Sequence, residues 1–412
     1  MKELTVSIVV VSRGRPEALH RCLLGISQLF YHPFEVVVVA DAQGCAAASQ
    51  YARHIKLVTF DQANISAARN VGLDHAGGQI VAFIDDDAVP EPSWLDHLIA
   101  PFSRTSVDAA GGWVRGRNGI SFQNQSRSVD PNGNQVSIVH PGPDPLVLQG
   151  SIQVAPRTEG TNMAWRRSVL ADLGGFNAAY RYFLDETDLN VRLARHGGTT
   201  ALVPLAQVHH GYSASARRRN DRVPTDLFDI GASWSVFFER YSENPIAALD
   251  AARAAEHARM IRYAVRGDVW PSAVRARLAE FDAGVADGRR YADAFWTPKG
   301  APIFQPWFDT PPNRSSVAFA SGLRHWRAAK RKVDHALTEK SRVTLYRFSP
   351  TTLFHQVEFT RAGYWLHTGG IWGRSDRDMP VVSRWTRRSR AVHEVAKVSA
   401  LRGITATHFI DT

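Results

Sequence analysis

Three groups of residues in this 412-residue chain have types and spacings that suit chemistry. Asp85-Asp86-Asp87 follows the apolar run Ile80–Ile84 directly. Three adjacent carboxylates repel one another unless a cation or strong donors offset them. Oxygen ligands of this kind, with waters, suit Mg²⁺ or Mn²⁺ beside substrate phosphates. The plain alternative is a solvated turn with an aspartate capping a helix near Pro92–Leu98, but the carboxyl end of a buried strand is a poor place for it. The second group, Asp185-Glu186-Thr187-Asp188, opens a helix carrying Leu189 and Leu193. Asp185 suits the N-cap and Asp188 the N3 position, both at the positive end of the helix dipole. Glu186 has no such structural task and is the candidate general base. The third group is His209-His210, after Ala201–Pro204 and Val208. A lone histidine is more often structural, yet with an acidic triplet elsewhere in the chain His210 becomes a candidate metal ligand.

These groups need a scaffold, and the first two hundred residues supply a strand–helix alternation. Val6–Val11, Phe34–Ala40, Ile55–Phe60 and Ile80–Ile84 read as strands. A helix opened by Pro16 carries Leu19, Leu23, Leu24 and Ile26, and another runs from about Ile65 to Ala76 before Gly77-Gly78. Solid apolar strands alternating with helices imply a parallel sheet covered on both faces, with ligands at the carboxyl strand ends. Asn118–Asp144, rich in Asn, Gln, Ser, Gly and Pro, reads as a long loop or lid. From Asp226 to Tyr291 the pattern is helical, with Leu227, Ile230, Trp234, Phe237 and Phe238 on one face. After Trp296 come Pro298, Pro302, Pro306, Pro311 and Pro312, which read as a linker.

The stretch Asn64-Ile-Ser-Ala-Ala-Arg-Asn70, with Gly72, Gly78 and Phe83-Ile-Asp-Asp-Asp87, resembles the nucleotide-sugar half of family 2 glycosyltransferases, which have the GT-A fold. Gly160-Thr-Asn-Met-Ala-Trp-Arg-Arg167, Leu173-Gly-Gly-Phe176, Asp185-Glu-Thr-Asp-Leu189 and Pro204 with His210 keep the family's order over roughly residues 4–212. The resemblance implies an α/β, Rossmann-like, mostly parallel sheet with flanking helices, followed here by a helical segment and a basic C-terminal region. It implies an inverting transferase that takes a nucleotide-diphosphate sugar and uses Mn²⁺ or Mg²⁺. Asp85 and Asp87 match the ends of the DxD motif, with Asp87 and Asp85 on the cation and His210 completing the site. Asp41, Arg69, Asp85 and Asp86 fall on the donor side, and Gly160 and Asn162 on the acceptor side. Glu186 matches the base that deprotonates the acceptor hydroxyl. The usual Glu-Asp order is reversed here, so Asp185 or Asp188 stands as an alternative base. Arg217-Arg218-Arg219 reads either as a solvated loop or as a group that folds over the diphosphate. The Gln-x-x-Arg-Trp motif of processive polysaccharide synthases is absent at its expected place, which points to a transferase adding one or a few sugars in glycan or polysaccharide biosynthesis. The alternative is a catalytically inactive GT-A scaffold that binds nucleotide or glycan.

Composition narrows the classes further. The net charge of +10 lies wholly in residues 301–412, which hold 18 basic and 8 acidic side chains, while residues 1–300 are balanced. A neutral body with a basic appendage argues against a nucleic-acid-binding protein. The longest apolar runs fall far short of the roughly 18 residues that span a bilayer. Cys22 and Cys45 make neither a disulfide framework nor a metal quartet. With no cleavage site after the N-terminal apolar stretch, a cytoplasmic protein is expected, with the inner membrane face as one location. Phe319, Leu323, Trp326, Val333 and Leu337 lie at helical spacing among Arg324, Arg327, Lys330, Arg331 and Lys332. Residues 316–340 therefore read as a basic amphipathic helix for an anionic membrane surface or a lipid-linked acceptor, or as a helix packed on the body. The expected division is a GT-A domain over 1–222, a helical extension over 223–297 and a basic region over 298–412.

Overall fold

The computed structural model describes residues 3–410 except 105, 212–214, 301 and 308–313, so Pro311 and Pro312 of the expected linker lie outside the described residues. β1 (Val6–Ser12) and β2 (Phe34–Ala40) pair in parallel, and every residue of β2 is buried. Between them α1 (Pro16–Ile26) has its proline in the first turn and lays Leu19, Cys22, Leu23 and Ile26 on the sheet. α2 (Ala42–Ala48), β3 (Lys56–Thr59), α3 (Ile65–His75) and β4 (Ile80–Asp85) continue the alternation. Asn64 starts α3 by accepting the Ala67 N–H with its side chain.

Next come β5 (Ala88–Pro90), α4 (Trp94–Ile99), β6 (Ala109–Arg115), β7 (Phe122–Asn124), β8 (Arg127–Val129), β9 (Gln135–Ser137), β10 (Leu146–Gln149), β11 (Ala155–Arg157) and β12 (Met163–Arg166). α5 (Arg167–Asp172), α6 (Asp185–Arg195) and β13 (Thr199–His210) complete the body. The main sheet runs β10-β13-β6-β12-β4-β1-β2-β3, with β5 on β13 and β7 on β6. β1 to β4 are parallel, and β12 enters antiparallel between β4 and β6. The stretch expected as a loop is partly sheet, because β8 and β9 form a hairpin that β11 joins. Its turn is Asp130-Pro-Asn-Gly133: the Asp130 carboxylate accepts the Asn132 and Asn134 N–H groups, and Gly133 adopts φ +74°. Polar composition hid a turn chemistry that closes hairpins.

α7 (Phe228–Tyr241), α8 (Pro245–Val265) and α9 (Pro271–Gly288) form the helical segment, with Phe237, Phe238 and Tyr241 buried against Tyr180 and Leu184. The expected linker is not free. Trp296 and Trp307 are both buried, the latter against Phe34 and Tyr51, and the Gln305 N–H donates to Glu35. Two large indoles bring too much apolar surface to remain in solvent.

The basic region is a second sheet rather than an appended helix. β14 (Ser316–Gly322), α10 (Trp326–Thr338), β15 (Arg342–Ser349), β16 (Gln356–Phe359), β17 (Trp365–Gly370), α11 (Arg387–Arg402) and β18 (Ala406–Ile410) build the order β16-β17-β15-β14-β18, parallel except for β16. Phe319 therefore lies on a strand, correcting the helix expected over 316–340: Ala318 and Ala320 alternate with Val317 and Phe319 between the two faces of β14. The amphipathic helix is confined to α10, whose Ala329, Val333 and Ala336 are buried against its own sheet. Its apolar face is thus occupied, and it turns only its basic faces outward.

This second sheet docks on the body through buried polar contacts. Arg402 donates from Nε and Nη2 to the two oxygens of Glu91, each at 2.8 Å, and its Nη1 lies 2.7 Å from His367. Val89 packs with Val357, Phe359 and Trp365 alongside. Arg342 reaches the carbonyls of Gln28 and Leu29. Part of the excess positive charge is therefore internal cement. Among the described residues no helix is long and apolar enough to cross a membrane.

Candidate active site

β4 runs out at Asp85, and the turn into β5 carries Asp86 and Asp87. The Asp85 side chain is 26% exposed, whereas those of Asp86 and Asp87 are at most 1%. β13 pairs antiparallel with β5 and sets His210 opposite Ala88. His210 Nε2 then lies 3.1 Å from Asp87 Oδ1, and its Nδ1 lies 3.0 Å from Gln123 Oε1. One ligand atom from each of Asp85, Asp87 and His210 falls within 4.8 Å of the others. Two carboxylates and an imidazole fit Mn²⁺ or Mg²⁺ and leave coordination positions for water and phosphate oxygens.

The triplet does not stand alone. Arg15, just before α1, places Nη2 2.7 Å from Asp86 Oδ1 and Nη1 3.4 Å from Asp87 Oδ2. Ser12 Oγ donates to Asp86 Oδ2 at 2.7 Å. Burial pushes the Asp86 carboxyl up to about 7, against the pull of Arg15 and with the charge of Asp87 adding to the rise. Asp86 is thus an interior strut under the cluster, not the donor contact expected from the sequence. Of the arginine run only Arg218 reaches this cluster, 4.0 Å from Asp87 Oδ2. Arg217 pairs with Asp229 and Arg219 with Asp221.

Arg69 joins the two halves of the site. From α3 its buried guanidinium bonds to Asp185, lies 3.4 Å from Asp85 Oδ1 and donates to the Gly160 carbonyl at 3.0 Å. A Cβ at Gly160 would sit 2.7 Å from Arg69 Nη2, so a larger residue here would displace the guanidinium. The entry to α6 is strained: Phe183 and Leu184 both have left-handed φ, at 70° and 66°. Leu184, not Asp185, occupies the N-cap, because the Asp185 carboxylate is drawn inward to Arg69.

The three carboxylates of the acidic motif separate by environment. Burial lifts the Asp185 carboxyl to about 7, with Arg69 opposing and Glu186 adding to the rise. Glu186 is also buried, but the charges of Arg157 and Arg69 outweigh burial and hold it below the usual carboxylate range. Its Oε1 accepts from Arg157 Nη2 at 2.7 Å. Arg157 also grips Glu159, whose carboxyl burial pushes up to about 7. Asp188 is committed to structure: Oδ1 accepts from Tyr241 at 2.6 Å, and Oδ2 from Arg192 at 2.8 Å. Such an anchor tying α6 to α7 is unsuited to take a substrate proton.

Two further expected contacts have structural roles. Asp41 caps α2 through Oδ1 to the Gly44 N–H, and its Oδ2 accepts the Gly14 N–H, fixing the turn after β1. The Asn162 amide is fully buried and fully used: it accepts from Trp94 Nε1 and donates to the carbonyls of Trp113 and Ala206. It tethers β12 to β6 and β13 rather than facing a ligand. Sequence reasoning missed Ser12, Arg15, Gln123, Arg157 and Glu159. Ser12 and Arg15 had a usable signal, as polar residues at the carboxyl end of the first strand; Arg157 and Glu159 had none beyond nearness to Gly160.

A mostly parallel sheet whose strand ends gather an acidic cluster, a histidine and an arginine-held carboxylate pair defines a GT-A type domain. Residues 7–187, a little under half of the chain, match the family described as Glycosyl transferase family 2. Glycosyltransferase AglE of Haloferax volcanii is 26% identical over 181 residues, 42% of this chain and 55% of its own length. The O-antigen biosynthesis protein RfbC of Myxococcus xanthus is 28% identical over 239 residues, 53% of this chain and 18% of its own. Among solved structures, the mannosyltransferase PcManGT from Pyrobaculum calidifontis in complex with GDP-Man and Mn2+ aligns at 17% identity and TM-score 0.44, covering 69% of this chain and 87% of that one. The chain spans about half or less of the length of these two curated relatives.

Proposed function

We propose that this chain transfers a sugar from a nucleotide-diphosphate sugar to an acceptor hydroxyl, with inversion, in glycan or polysaccharide biosynthesis. The observation that carries the reading is Arg69, which holds Asp85 of the acidic cluster and Asp185, neighbour of Glu186, on one guanidinium. Asp85, Asp87 and His210 would hold a divalent cation, which would supply positive charge where the leaving diphosphate gathers negative charge. Glu186 accepts the proton of the acceptor hydroxyl. Arg157 keeps it ionised, and a positioned base of this kind contributes about 10²–10⁴-fold. Asp185, whose carboxylate is bound to Arg69, stands as the alternative base. Attack from the face opposite the leaving group inverts the anomeric centre in one displacement. Residues 1–222 carry this chemistry in the proposal, 223–297 wall the acceptor side, and 298–412 dock on the body through Glu91. The relative named for O-antigen biosynthesis supports the placement in glycan assembly.

The test is Mn²⁺-dependent release of nucleoside diphosphate from UDP-, GDP- and dTDP-sugars. One donor class is expected to turn over, and Asp87→Ala to abolish it. No turnover with any donor and acceptor mixture, together with retained nucleotide binding, would favour an inactive scaffold instead.

A further inference from the structure

Two guanidinium groups and three carboxylates meet at the start of α6. Arg69 takes Asp185, and Arg157 takes both Glu159 and Glu186. Arg157 Nη2 lies 2.7 Å from Glu186 Oε1, and its Nη1 donates to Glu159 Oε1. The two glutamates thus share one cation, and the side chain of each is 12% exposed. Glu159 is not a loose neighbour. Its carbonyl accepts the Asn162 N–H at 2.8 Å, and the Asn162 amide is itself tied to β6 and β13. From the hairpin, Arg127 brings its charge to bear on Glu159, and Gln135 Oε1 lies 3.4 Å from Arg157 Nη1.

A base needs affinity for the proton it takes, and an arginine held to it lowers that affinity. Arg157 alone on Glu186 would make a well-ionised but weak base. A second carboxylate on the same guanidinium draws it away from Glu186 and adds a like charge nearby. Both effects raise the affinity of Glu186 for a proton. Glu159 stands where this happens, and its charge is conditional. Burial pushes its carboxyl up to about 7, against the pull of Arg157 and with Glu186 adding to the rise. The other charged groups that face the pair are Arg69 from α3, Asp185 on α6 itself and His210 from β13.

We propose that Glu159 is a positioning residue for the transfer: by holding part of Arg157 it keeps Glu186 a strong enough base to take the acceptor proton. The inference rests on the transferase reading with Glu186 as base. It is tested in the full chain at saturating Mn²⁺, with whichever UDP-, GDP- or dTDP-sugar turns over, by the release of nucleoside diphosphate. Wild type and Glu159→Gln are compared from pH 6 to pH 8.5. The ratio of their rates is expected to rise from near one at the acid end to about threefold to tenfold at the alkaline end, a unit of proton affinity being worth at most tenfold. The donor KM should stay unchanged. Glu159→Asp, which still titrates, should recover rate at pH 8.5. Asp185 is common to all three chains, so the difference between them reads Glu159. A rate lowered by the same factor at every pH would mark Glu159 as a structural partner of Arg157 and overturn the inference, as would a wild-type rate in Glu159→Gln at pH 8.5. If Glu159→Gln does not fold, the wild-type chain labelled with δ-¹³C-glutamate decides: the Glu186 resonance, identified by its loss in Glu186→Gln, should shift a second time as Glu159 ionises. A single step overturns the inference with the transferase reading intact. No turnover by the wild type with any donor overturns the transferase reading, and the role of Glu159 falls with it.

Discussion

Replacing Arg402 by Met tests how the second sheet is held to the catalytic body. In the wild type the Arg402 and Glu91 side chains are 2% and 1% exposed and meet through two 2.8 Å hydrogen bonds. Removing the guanidinium leaves a buried carboxylate whose other close partner is His209 Nε2 at 2.8 Å. Burial pushes the His209 pKa down to about 4, so at neutral pH it donates a hydrogen bond but no charge. Orphaning one member of a buried pair costs about 3–5 kcal/mol. Adding Glu91→Gln removes the charge while keeping an acceptor for His209, so the double variant is expected to lose only about 1–2 kcal/mol, chiefly through the lost partner of His367. Urea unfolding followed by circular dichroism reads the loss, and the Trp365 ring, 4.1 Å from the Arg402 guanidinium, loses a stacking partner as well. The pH dependence has a definite sign. In the wild type burial would raise the Glu91 pKa, but Arg402 outweighs it and holds it well below the carboxylate range. That stabilisation is present above the unfolded carboxylate pKa and is lost only as pH falls through the depressed folded value. In Arg402→Met burial dominates and the folded pKa rises, so the deficit should shrink from pH 7 to pH 5. A single variant within about 1 kcal/mol of wild type, or a double variant as unstable as the single, would refute the account.

Four further outcomes follow from the site. Arg157→Ala removes the main charge that depresses Glu186, so the acid limb of the pH–rate profile should move up, with a larger loss at pH 5 than at pH 8. Mn²⁺ at about 100 times its dissociation constant should stabilise the chain by about 2.7 kcal/mol, and Asp87→Ala should abolish the shift in melting temperature. Tyr241→Phe should cost about 1–3 kcal/mol through Asp188 while leaving the pH profile of transfer unchanged, since Asp188 is an anchor and not the base. Trp307→Ala should cost about 3–5 kcal/mol in chemical denaturation if the proline-rich segment is core and not tether.

What could be read from the sequence follows a physical line. Asp85-Asp86-Asp87 was legible because an apolar strand runs straight into it at the carboxyl edge of a parallel sheet, and His210 only through that triplet and the family resemblance. The division of labour within each acidic cluster was not. Whether Asp188 or Glu186 is the base depends on Tyr241, 53 residues away, and on Arg157, 29 residues away. Asn162 and Asp41 looked like ligand contacts by motif, and only the fold shows their polar atoms already engaged. Thr344–Phe348 and Val357–Thr360 read as strands from the sequence and lie on β15 and β16, but β14 was hidden because Phe319, Leu323 and Trp326 also satisfy helical spacing. The alternation of Ala318 and Ala320 with Val317 and Phe319 acquires meaning only when β15 and β18 flank β14.

The most direct test of the central claim is the comparison of wild type with Glu186→Gln, measuring donor binding and turnover with Mn²⁺ in the same samples. The variant should bind the nucleotide sugar with the wild-type dissociation constant and lose transfer by about 10²–10⁴-fold. Transfer at the wild-type rate would remove Glu186 from the reaction, and lost donor binding would place it on the wrong side of the site.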